Sequence, residues 1–332
     1  MSSPMSLPAV PVAPLSIRYE HGALDALLGA DDVLAVIGFG RTAPASADPR
    51  VLRVGLEPLE AGTRVPFEVW RGATPVRHGR DGELAWSSDG EHLFFAIDVD
   101  EAARGGIEGA AEHAYACLGR FVAASATPHI LRLWNYLDAI NLGGGDDERY
   151  RRFCAGRARG MDAHVPSRYP AATAIGRHDG VRRLQVYGLA ARHAGTPVEN
   201  PRQVSAWRYP REYGPTAPTF ARGMRTASAE LLISGTAAVV GHASRHAGDI
   251  DAQLTETIAN LESLAVEAGA RAPGLDGHSV MKAYVRHEAD APHVAAMLHA
   301  RLPSLGGLLL LGGDICRREL LVEVDGVHVL ED

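Results

Sequence analysis

One stretch decides the fold of this 332-residue chain: Gly312-Gly313-Asp314-Ile315-Cys316-Arg317-Arg318-Glu319-Leu320-Leu321-Val322-Glu323-Val324-Asp325-Gly326. Four leucines lead into its glycine pair, and the alternation that follows is typical of a β-strand. That strand sets Glu323 among apolar residues. A carboxyl group held against an apolar sheet has its charged form disfavoured, so Glu323 can keep a proton near neutral pH and act as a general acid.

Cys316 stands seven residues before Glu323 and is a possible second reactive group. A plainer interpretation is also open for both residues. Glutamates on alternating strands commonly point to solvent, and lone cysteines are commonly small buried apolar residues.

The composition is that of an ordinary globular protein, with 46% hydrophobic and 22% charged residues. A chain of this length is long for one core, so two domains are expected. The net charge of −7 argues against a nucleic-acid-binding surface, which needs a basic excess. An anionic small-molecule substrate would have to be met by local arginines.

Cys117, Cys154 and Cys316 are odd in number and far apart, which suggests neither a disulfide framework nor a zinc cluster. The 15 histidines show no metal-ligand spacing. Lys282, the only lysine, has no surroundings that indicate Schiff-base chemistry. We therefore expect neither a metal nor an organic cofactor.

The first 14 residues are apolar but are interrupted by four prolines, with no basic residues ahead of them. This pattern is typical of a flexible lead-in and not of a signal peptide. No apolar run approaches membrane-spanning length. We expect a cytoplasmic protein with no membrane segment.

The sequence predicts the same order of elements in both halves of the chain: strand, long helix, strand, short helix, strand and strand. The helix that begins at Ile107 pairs with the one that begins at Ile250, and Trp134–Leu137 pairs with Tyr284–His287. The pattern indicates internal duplication of one α/β unit, with extra strands before Phe94 elaborating the first copy. We predict domains at 1–197 and 198–332, the second carrying the active site.

The second copy resembles the small RidA-like (YjgF-type) fold. The resemblance rests on Ile233-Ser234-Gly235-Thr236, on Gly248-Asp249-Ile250 and on Leu321-Val322-Glu323-Val324. It implies an α+β fold of tandem RidA-like units, each a mixed sheet with helices packed on one face. It also implies sites in the clefts between neighbouring units, lined by Ser234, Gly235 and Thr236.

The chain from about Arg132 onward resembles the chorismatases. The matching stretches are Arg132-Leu133-Trp134-Asn135-Tyr136-Leu137, Pro170-Ala171-Ala172-Thr173-Ala174-Ile175-Gly176 and Glu199-Asn200-Pro201-Arg202-Gln203 through Pro210. This resemblance implies cleavage of chorismate to pyruvate plus a cyclohexadiene diol or a hydroxybenzoate. Cys316 occupies the place where the aromatising chorismatases carry cysteine, so the resemblance is to that kind, including the bifunctional form that yields both 3- and 4-hydroxybenzoate.

Chorismate is a dianion, and an arginine-rich segment between residues 202 and 225 is the densest supply of guanidinium groups for it. Arg222 is the first candidate, because it precedes the Ser234-Gly235 strand. The segment also contributes Arg208, with Tyr213 and Phe220 among the interleaved aromatic residues.

In the expected mechanism Glu323 protonates the enol-ether methylene, and Cys316 steers toward the aromatic product, either as a nucleophile or as a wall that excludes water. Two other functions stay open. One is a RidA-type imine deaminase, although the arginine that grips its substrate is replaced here by Leu308–Leu311. The other is a non-catalytic module that binds an aromatic or keto acid. Because tandem copies can satisfy each other's interfaces, we expect a monomer.

Overall fold

The structure is a computed structural model that describes residues 15–59, 65–162, 169–271 and 275–330. Its main strands form three sheets, each built from one continuous part of the chain. The expected lead-in at residues 1–14 lies outside the described residues. Among the helices of the described residues, none combines the length and the apolar composition that a membrane span requires.

The N-terminal sheet has four strands and one short helix. Its elements are β1 (Ser16–Glu20), α1 (Leu24–Leu28), β2 (Val33–Phe39), β3 (Val51–Val54) and β4 (Phe67–Arg71). The spatial order is β1-β4-β2-β3, and β2 runs parallel to β3. Among the strands expected before Phe94, Leu84–Ser88 joins the next sheet along the chain, so the expected elaboration holds for it. The four strands listed here instead pair with one another in a sheet of their own.

The middle sheet has six strands and two covering helices. Its elements are β5 (Arg77–Asp81), β6 (Leu84–Ser88), β7 (His92–Asp100), α2 (Ile107–Ala123), β8 (His129–Asp138), α3 (Arg149–Asp162), β9 (Ala171–Arg177) and β10 (Arg183–Ala191). The apolar stripe predicted for α2 is confirmed, since Ile107, Ala111, Ala114 and Leu118 are all buried in the apolar core of this unit.

The C-terminal sheet also has six strands and two helices. Its elements are β11 (Thr196–Val198), β12 (Gly223–Arg225), β13 (Glu230–Ala237), α4 (Ile250–Glu267), β16 (Ser279–Val285), α5 (Ala291–Arg301), β17 (Gly307–Gly312) and β18 (Val322–Val329), with a small ribbon of β14 (Val239–Val240) and β15 (Ala243–Ser244) before α4. Asp249 caps α4 as predicted, because its carboxylate accepts a hydrogen bond from the Ala252 amide at 3.0 Å.

The duplication predicted from the sequence is confirmed by the order of the strands. When the strands of each unit are numbered in chain order, both six-stranded sheets run 1-2-3-6-4-5, and strands four and five are parallel in each. The N-terminal sheet reproduces the last four places of that order, with its own parallel pair at the same edge. The chain therefore holds three related units, the first of them reduced.

Strand pairing gives the sixth strands of the two six-stranded units similar neighbours. Gln185 on the sixth strand of the middle unit lies opposite Tyr136, and Glu323 on the sixth strand of the C-terminal unit lies opposite Tyr284. The alignment of Trp134–Leu137 with Tyr284–His287 stays a prediction, because pairing within each sheet does not fix which residue of one unit corresponds to which residue of the other.

The three sheets enclose a shared inner core, and each unit has a further apolar core of its own. In the inner core, Trp134 stacks on Tyr187 with ring centroids 4.9 Å apart, and Trp70 of the N-terminal unit lies 5.6 Å from Trp134. The hydroxyls of Tyr136 and Tyr284 are 3.0 Å apart. Aromatic contacts of this kind join all three units.

Buried charges cross the same inner core. Lys282 Nζ donates to Glu68 Oε2 at 2.7 Å and lies 3.9 Å from Asp325 Oδ1. Arg132 Nη2 donates to Asp325 Oδ2 at 3.1 Å. All four side chains are at most 3% exposed, and two cations face two carboxylates. Removing one member leaves its partner buried without compensation.

We expect Lys282→Met to lower the free energy of unfolding by about 3–5 kcal/mol, because it leaves the Glu68 carboxylate unpaired in the core. Urea unfolding followed by fluorescence measures the change. The double variant Glu68→Gln with Lys282→Met should recover part of the loss, since it removes both charges. Arg41→Ala, which breaks an exposed pair with Glu57, should cost less than about 1 kcal/mol. Equal losses for the single and double core variants would contradict this assignment.

Candidate active site

A cavity of about 280 Å³ opens between the middle and C-terminal units. Its floor includes Glu323 on β18 and Gly235 on β13, and Tyr150 at the start of α3 contributes from the middle unit. The connection from β17 to β18, residues 313–321, supplies a further wall. Both units therefore build the site, as clefts between neighbouring sheets allow.

Glu323 is the buried acid of this cavity. Its residue is 5% exposed, and within the described part of the chain no hydrogen bond or ion pair engages its carboxyl group. Burial is the main cause that raises the pKa of Glu323 to about 8, and the nearby carboxylate of Asp325 adds to the rise. Arg132, Arg222 and Arg286 act in the opposite direction. The carboxyl group is accordingly protonated at pH 7.

A β-bulge makes room for this side chain. Ile233 lies opposite Gly326 and Thr236 lies opposite Val324, so Ser234 and Gly235 together face Asp325. A Cβ atom on Gly235 would stand 2.0 Å from Glu323 Oε1. Any residue other than glycine at position 235 would therefore overlap with the Glu323 carboxyl group.

Ser234 and Thr236 hold the bulge and do not line the cavity. Ser234 Oγ accepts from the Ala172 amide at 2.8 Å and donates to the Ala221 carbonyl at 2.6 Å, which ties the two units together. Thr236 Oγ1 donates to the Ser234 carbonyl at 2.9 Å. The structure brings the predicted trio together, but only Gly235 reaches the cavity.

Cys316 lies in the wall of the cavity, on the 313–321 connection. Its surface is partly exposed, toward the cavity, while the thiol packs among residues of two apolar cores. Burial raises the pKa of Cys316 to about 12, and the nearby Glu323 carboxyl contributes to the rise. A thiol with so high a pKa stays neutral at pH 7 and is a poor nucleophile.

Arg222 lines the cavity and is buried. Its Nη2 donates to the Val204 carbonyl at 2.8 Å and to Tyr209 Oη at 2.5 Å, and its guanidinium lies 5.2 Å from the ring centre of Phe220. Its Nε is buried without a hydrogen-bond partner among the described residues. A fixed guanidinium of this kind is suited to a carboxylate.

The other arginines of the predicted segment lie elsewhere. Arg208 is exposed and is not among the residues that line the cavity, because it ends the short turn Ala206–Arg208 on the surface. Arg202 pairs with Glu256 at the surface, and Arg211 pairs with Asp146. Tyr213 does line the cavity, with its hydroxyl 3.3 Å from His242 Nδ1.

Sequence reasoning missed three cavity arginines: Arg151, Arg317 and Arg318. Arg317 lies over the Tyr213 ring at 4.1 Å, and its Nη1 donates to the His242 carbonyl at 2.8 Å. Arg318 Nη2 donates to the Gly143 carbonyl at 2.5 Å. Arg317 and Arg318 directly follow Cys316 in the sequence, and that adjacency could have identified them.

Arg286 fixes the wall that carries Cys316. Its Nε donates to the Leu320 carbonyl at 2.7 Å, and its Nη2 donates to the carbonyls of Ile315 and Arg317 at 3.0 and 2.9 Å. Its Nη1 donates to Asn141 Oδ1 at 3.1 Å and also to Asp314. All five donors of the guanidinium are used on partners in or beside this connection, so Arg286 positions the wall and is not free to bind a substrate.

The site thus combines a neutral buried carboxyl group with four arginines that line the same cavity. Such an arrangement can bind a small dianion and deliver one proton to it in a poorly solvated cavity. Among the described residues, no group of three or more histidine, cysteine, aspartate or glutamate side chains is placed to hold a metal ion.

Comparisons with known proteins agree with this chemistry. Residues 68–190 match a family described as "Chorismatase FkbO/Hyg5-like, N-terminal". A chorismatase of Streptomyces hygroscopicus is 33% identical over 93% of this chain and 93% of that protein, and a 3-hydroxybenzoate synthase of the same organism is 34% identical over 81% and 83%. A chorismatase crystal structure is similar with a TM-score of 0.84 and 31% identity, covering 97% of this chain and all of that one.

Gly235→Ala is expected to lower kcat for chorismate by about 100-fold, because the added methyl group displaces the Glu323 carboxyl by an amount on the order of an ångström. Steady-state assays of pyruvate release measure it. Gly144→Ala is the matched control: Gly144 also lines the cavity, but a Cβ there meets nothing within 4 Å. Equal activities of the two variants would show that the bulge does not position Glu323.

Proposed function

The chain belongs to the chorismatase family and cleaves chorismate, and from that premise we propose that Glu323 is the general acid and that the products are pyruvate and a hydroxybenzoate. The observation that carries this proposal is the buried carboxyl of Glu323, whose pKa is raised to about 8. The similar 3-hydroxybenzoate synthase supports 3-hydroxybenzoate as a product. We propose 4-hydroxybenzoate as the second product, on the resemblance to the bifunctional kind.

The reaction begins with transfer of the Glu323 proton to the methylene carbon of the enolpyruvyl group. The carbon–carbon double bond supplies the electron pair for the new C–H bond, and the ether oxygen shares the resulting positive charge as an oxocarbenium ion. The glutamate is now a carboxylate beside that cation and stabilises it. One group thus serves as acid and then as counter-charge.

Two outcomes follow from the oxocarbenium ion, and they differ by one water molecule. Addition of water at the cationic carbon gives a hemiketal, which collapses to pyruvate and a cyclohexadiene diol. Chorismate has the composition of pyruvate plus hydroxybenzoate, so neither aromatic route takes up water overall. The route to 3-hydroxybenzoate keeps the ether oxygen on the ring and loses the ring hydroxyl as water for the water that it takes up. The route to 4-hydroxybenzoate keeps the ring hydroxyl, breaks the bond between the ring carbon and the ether oxygen as pyruvate leaves, and loses a ring proton. The access of water to the cavity therefore affects the ratio of diol to hydroxybenzoate.

Cys316 is assigned to the control of this access, as part of the wall. Its high pKa speaks against the alternative role of nucleophile, because the thiolate would be scarce at neutral pH. The Sγ atom occupies space beside Glu323 that a smaller residue would yield to water. Arg286 supports this role by fixing the backbone on both sides of Cys316.

The two substrate carboxylates are assigned to Arg222 and to the Arg317–Arg318 pair, with Tyr213 and Phe220 as flanking aromatic walls. These guanidinium groups are already oriented by carbonyl and aromatic partners, so little order is lost on binding. Arg208 has no part in this assignment, because it is exposed outside the cavity.

The division into domains at 1–197 and 198–332 also stays a proposal. Two six-stranded sheets support it, with strands from 77 to 191 and from 196 to 329. The strand Thr196–Val198 crosses the proposed boundary by two residues. We also propose a monomer, because the three units of one chain already cover each other's inner faces.

The kcat/KM for chorismate should be constant below neutral pH and fall tenfold per unit as the pH rises past about 8, because the raised pKa keeps the active acid form protonated up to that pH. Pyruvate release coupled to a dehydrogenase measures this profile. Glu323→Gln keeps the shape but cannot donate a proton, and should lose about 10²–10⁴-fold in kcat. Pyruvate release by this variant at the parental rate would end the proposal.

Cys316→Ala should shift products from hydroxybenzoate toward the diol, because the smaller side chain admits water beside the oxocarbenium ion. Chromatography of the products after complete conversion gives the ratio. Cys154→Ala, at a buried cysteine outside the cavity lining, is the matched control and should leave the ratio unchanged. An unchanged ratio in Cys316→Ala would remove the cysteine from product control.

A further inference from the structure

A second cavity, of about 290 Å³, lies between the N-terminal and middle units. Its lining includes Leu52 and Arg53 of β3, Arg80 of β5, and Gln185 of β10. The cavity has nearly the volume of the active site, at about 280 Å³. Neither the chemistry of chorismate cleavage nor the predicted site uses it.

The repeated fold makes this cavity the counterpart of the active site. Gln185 lies on the sixth strand of its unit opposite Tyr136, as Glu323 lies on the sixth strand of its unit opposite Tyr284. On the third strand, Asp98 is the neighbour of Gln185 where Ala237 is the neighbour of Glu323. Each residue thus lies opposite a tyrosine of the inner core, and Gln185 carries an amide where Glu323 carries an acid.

The side-chain oxygen of Gln185 is a buried acceptor that lacks a hydrogen-bond donor among the described residues. The residue is 4% exposed, and its Nε2 donates to the Arg53 carbonyl at 3.1 Å. Its Oε1 is buried and has no hydrogen-bond partner among the described residues. Buried acceptors are almost always paired, and a ligand hydroxyl would supply the missing donor. A neutral amide has no acidic proton to give, so such a ligand would be bound without being protonated.

The free charge of the cavity is positive. Arg53 and Arg80 are exposed and take part in no ion pair within the described ranges. The acidic side chains at this cavity are already engaged, Glu83 by His113 at 2.6 Å and Asp98 by Arg183 at 2.5 Å. Two unengaged guanidinium groups favour a carboxylate. Apart from Ser46 and Gln185, the other lining residues are apolar, among them Leu52, Ala85 and Ile97.

We propose that this cavity is a second, non-catalytic binding site for a small hydroxylated carboxylate. The carboxylate binds Arg53 and Arg80, the hydroxyl donates to Gln185 Oε1, and the apolar wall covers the body of the ligand. The ligand class follows from these groups. The use of a hydroxybenzoate as the probe rests on the proposed function.

The test is calorimetric titration of the full-length protein with 3-hydroxybenzoate. Two binding events are expected, one in each cavity. Arg53→Gln with Arg80→Gln should weaken one event about tenfold or more, since charged hydrogen bonds are lost. Arg77→Gln is the matched control, because Arg77 is an exposed arginine on the same strand β5 but outside the cavity lining. Arg222→Gln with Arg317→Gln should remove the other event.

A single event in the parent protein, or two events of unchanged strength in the Arg53 and Arg80 double variant, would overturn the second site. Benzoate, which lacks the hydroxyl, should bind this site more weakly than 3-hydroxybenzoate, and Gln185→Leu should abolish that preference. Equal binding of the two probes by the parent protein would remove Gln185 from the site.

A separate assay of chorismate turnover distinguishes failure of the second-site proposal from failure of the proposed function. The double variant of Arg53 and Arg80 should turn over chorismate at the parental kcat when product is dilute. Loss of turnover in the parent protein would count against the proposed function alone. Loss of turnover in the double variant, with its thermal stability unchanged, would show that these arginines belong to the catalytic machinery and would overturn the second site.

Discussion

The structure depends on one constraint: a carboxylic acid must stay protonated in a cavity that is also built to attract anions. Arginines near Glu323 favour the charged carboxylate, while burial and the neighbouring Asp325 favour the neutral acid, and burial has the largest effect. The arginines can be numerous because they are already occupied. Arg222 donates to a carbonyl and a tyrosine, and Arg317 lies over Tyr213. Their guanidinium groups line the cavity, and among the described residues none of them forms an ion pair with the Glu323 carboxyl.

The three-unit architecture provides the dry surroundings that this acid requires. The sheets meet on a shared core of stacked aromatic rings, and Asp325 is held there by Arg132, Trp134, Thr173 and Tyr284. Asp325 lies two residues beyond Glu323 on the same strand and face. One buried network therefore fixes the units against each other and also sets the charge that Glu323 senses. In the middle unit, the sixth-strand residue that lines the second cavity is the amide Gln185. An amide has no acidic proton to donate, so we expect a single catalytic centre.

Much of this could be predicted from the sequence, and the remainder could not for physical reasons. The long helices were readable because their apolar stripes and the Asp249 cap are local signals, and Glu323 was readable because a charged residue stands out in an apolar strand. The separate N-terminal sheet was not, because short strands carry no information about which sheet they join. Arg222 was found beside its strand, whereas the placement of Arg151 and Arg286 depends on packing between distant segments. Ser234 and Thr236 were correctly grouped with Gly235, but only a bulge in the register shows that they turn away from the cavity.

The most direct test of the account is the titration of Glu323 itself. With carbon-13 in the glutamate side-chain carboxyls, NMR follows the chemical shift of each carboxyl as the pH is changed. The resonance that is absent from the spectrum of the Glu323→Gln variant belongs to Glu323. The account predicts that this carboxyl changes its protonation near pH 8 in the folded protein. A midpoint near 4.5, the ordinary value for a glutamate, would mean that the carboxyl is ionised at neutral pH, and that it cannot be the acid that starts the reaction.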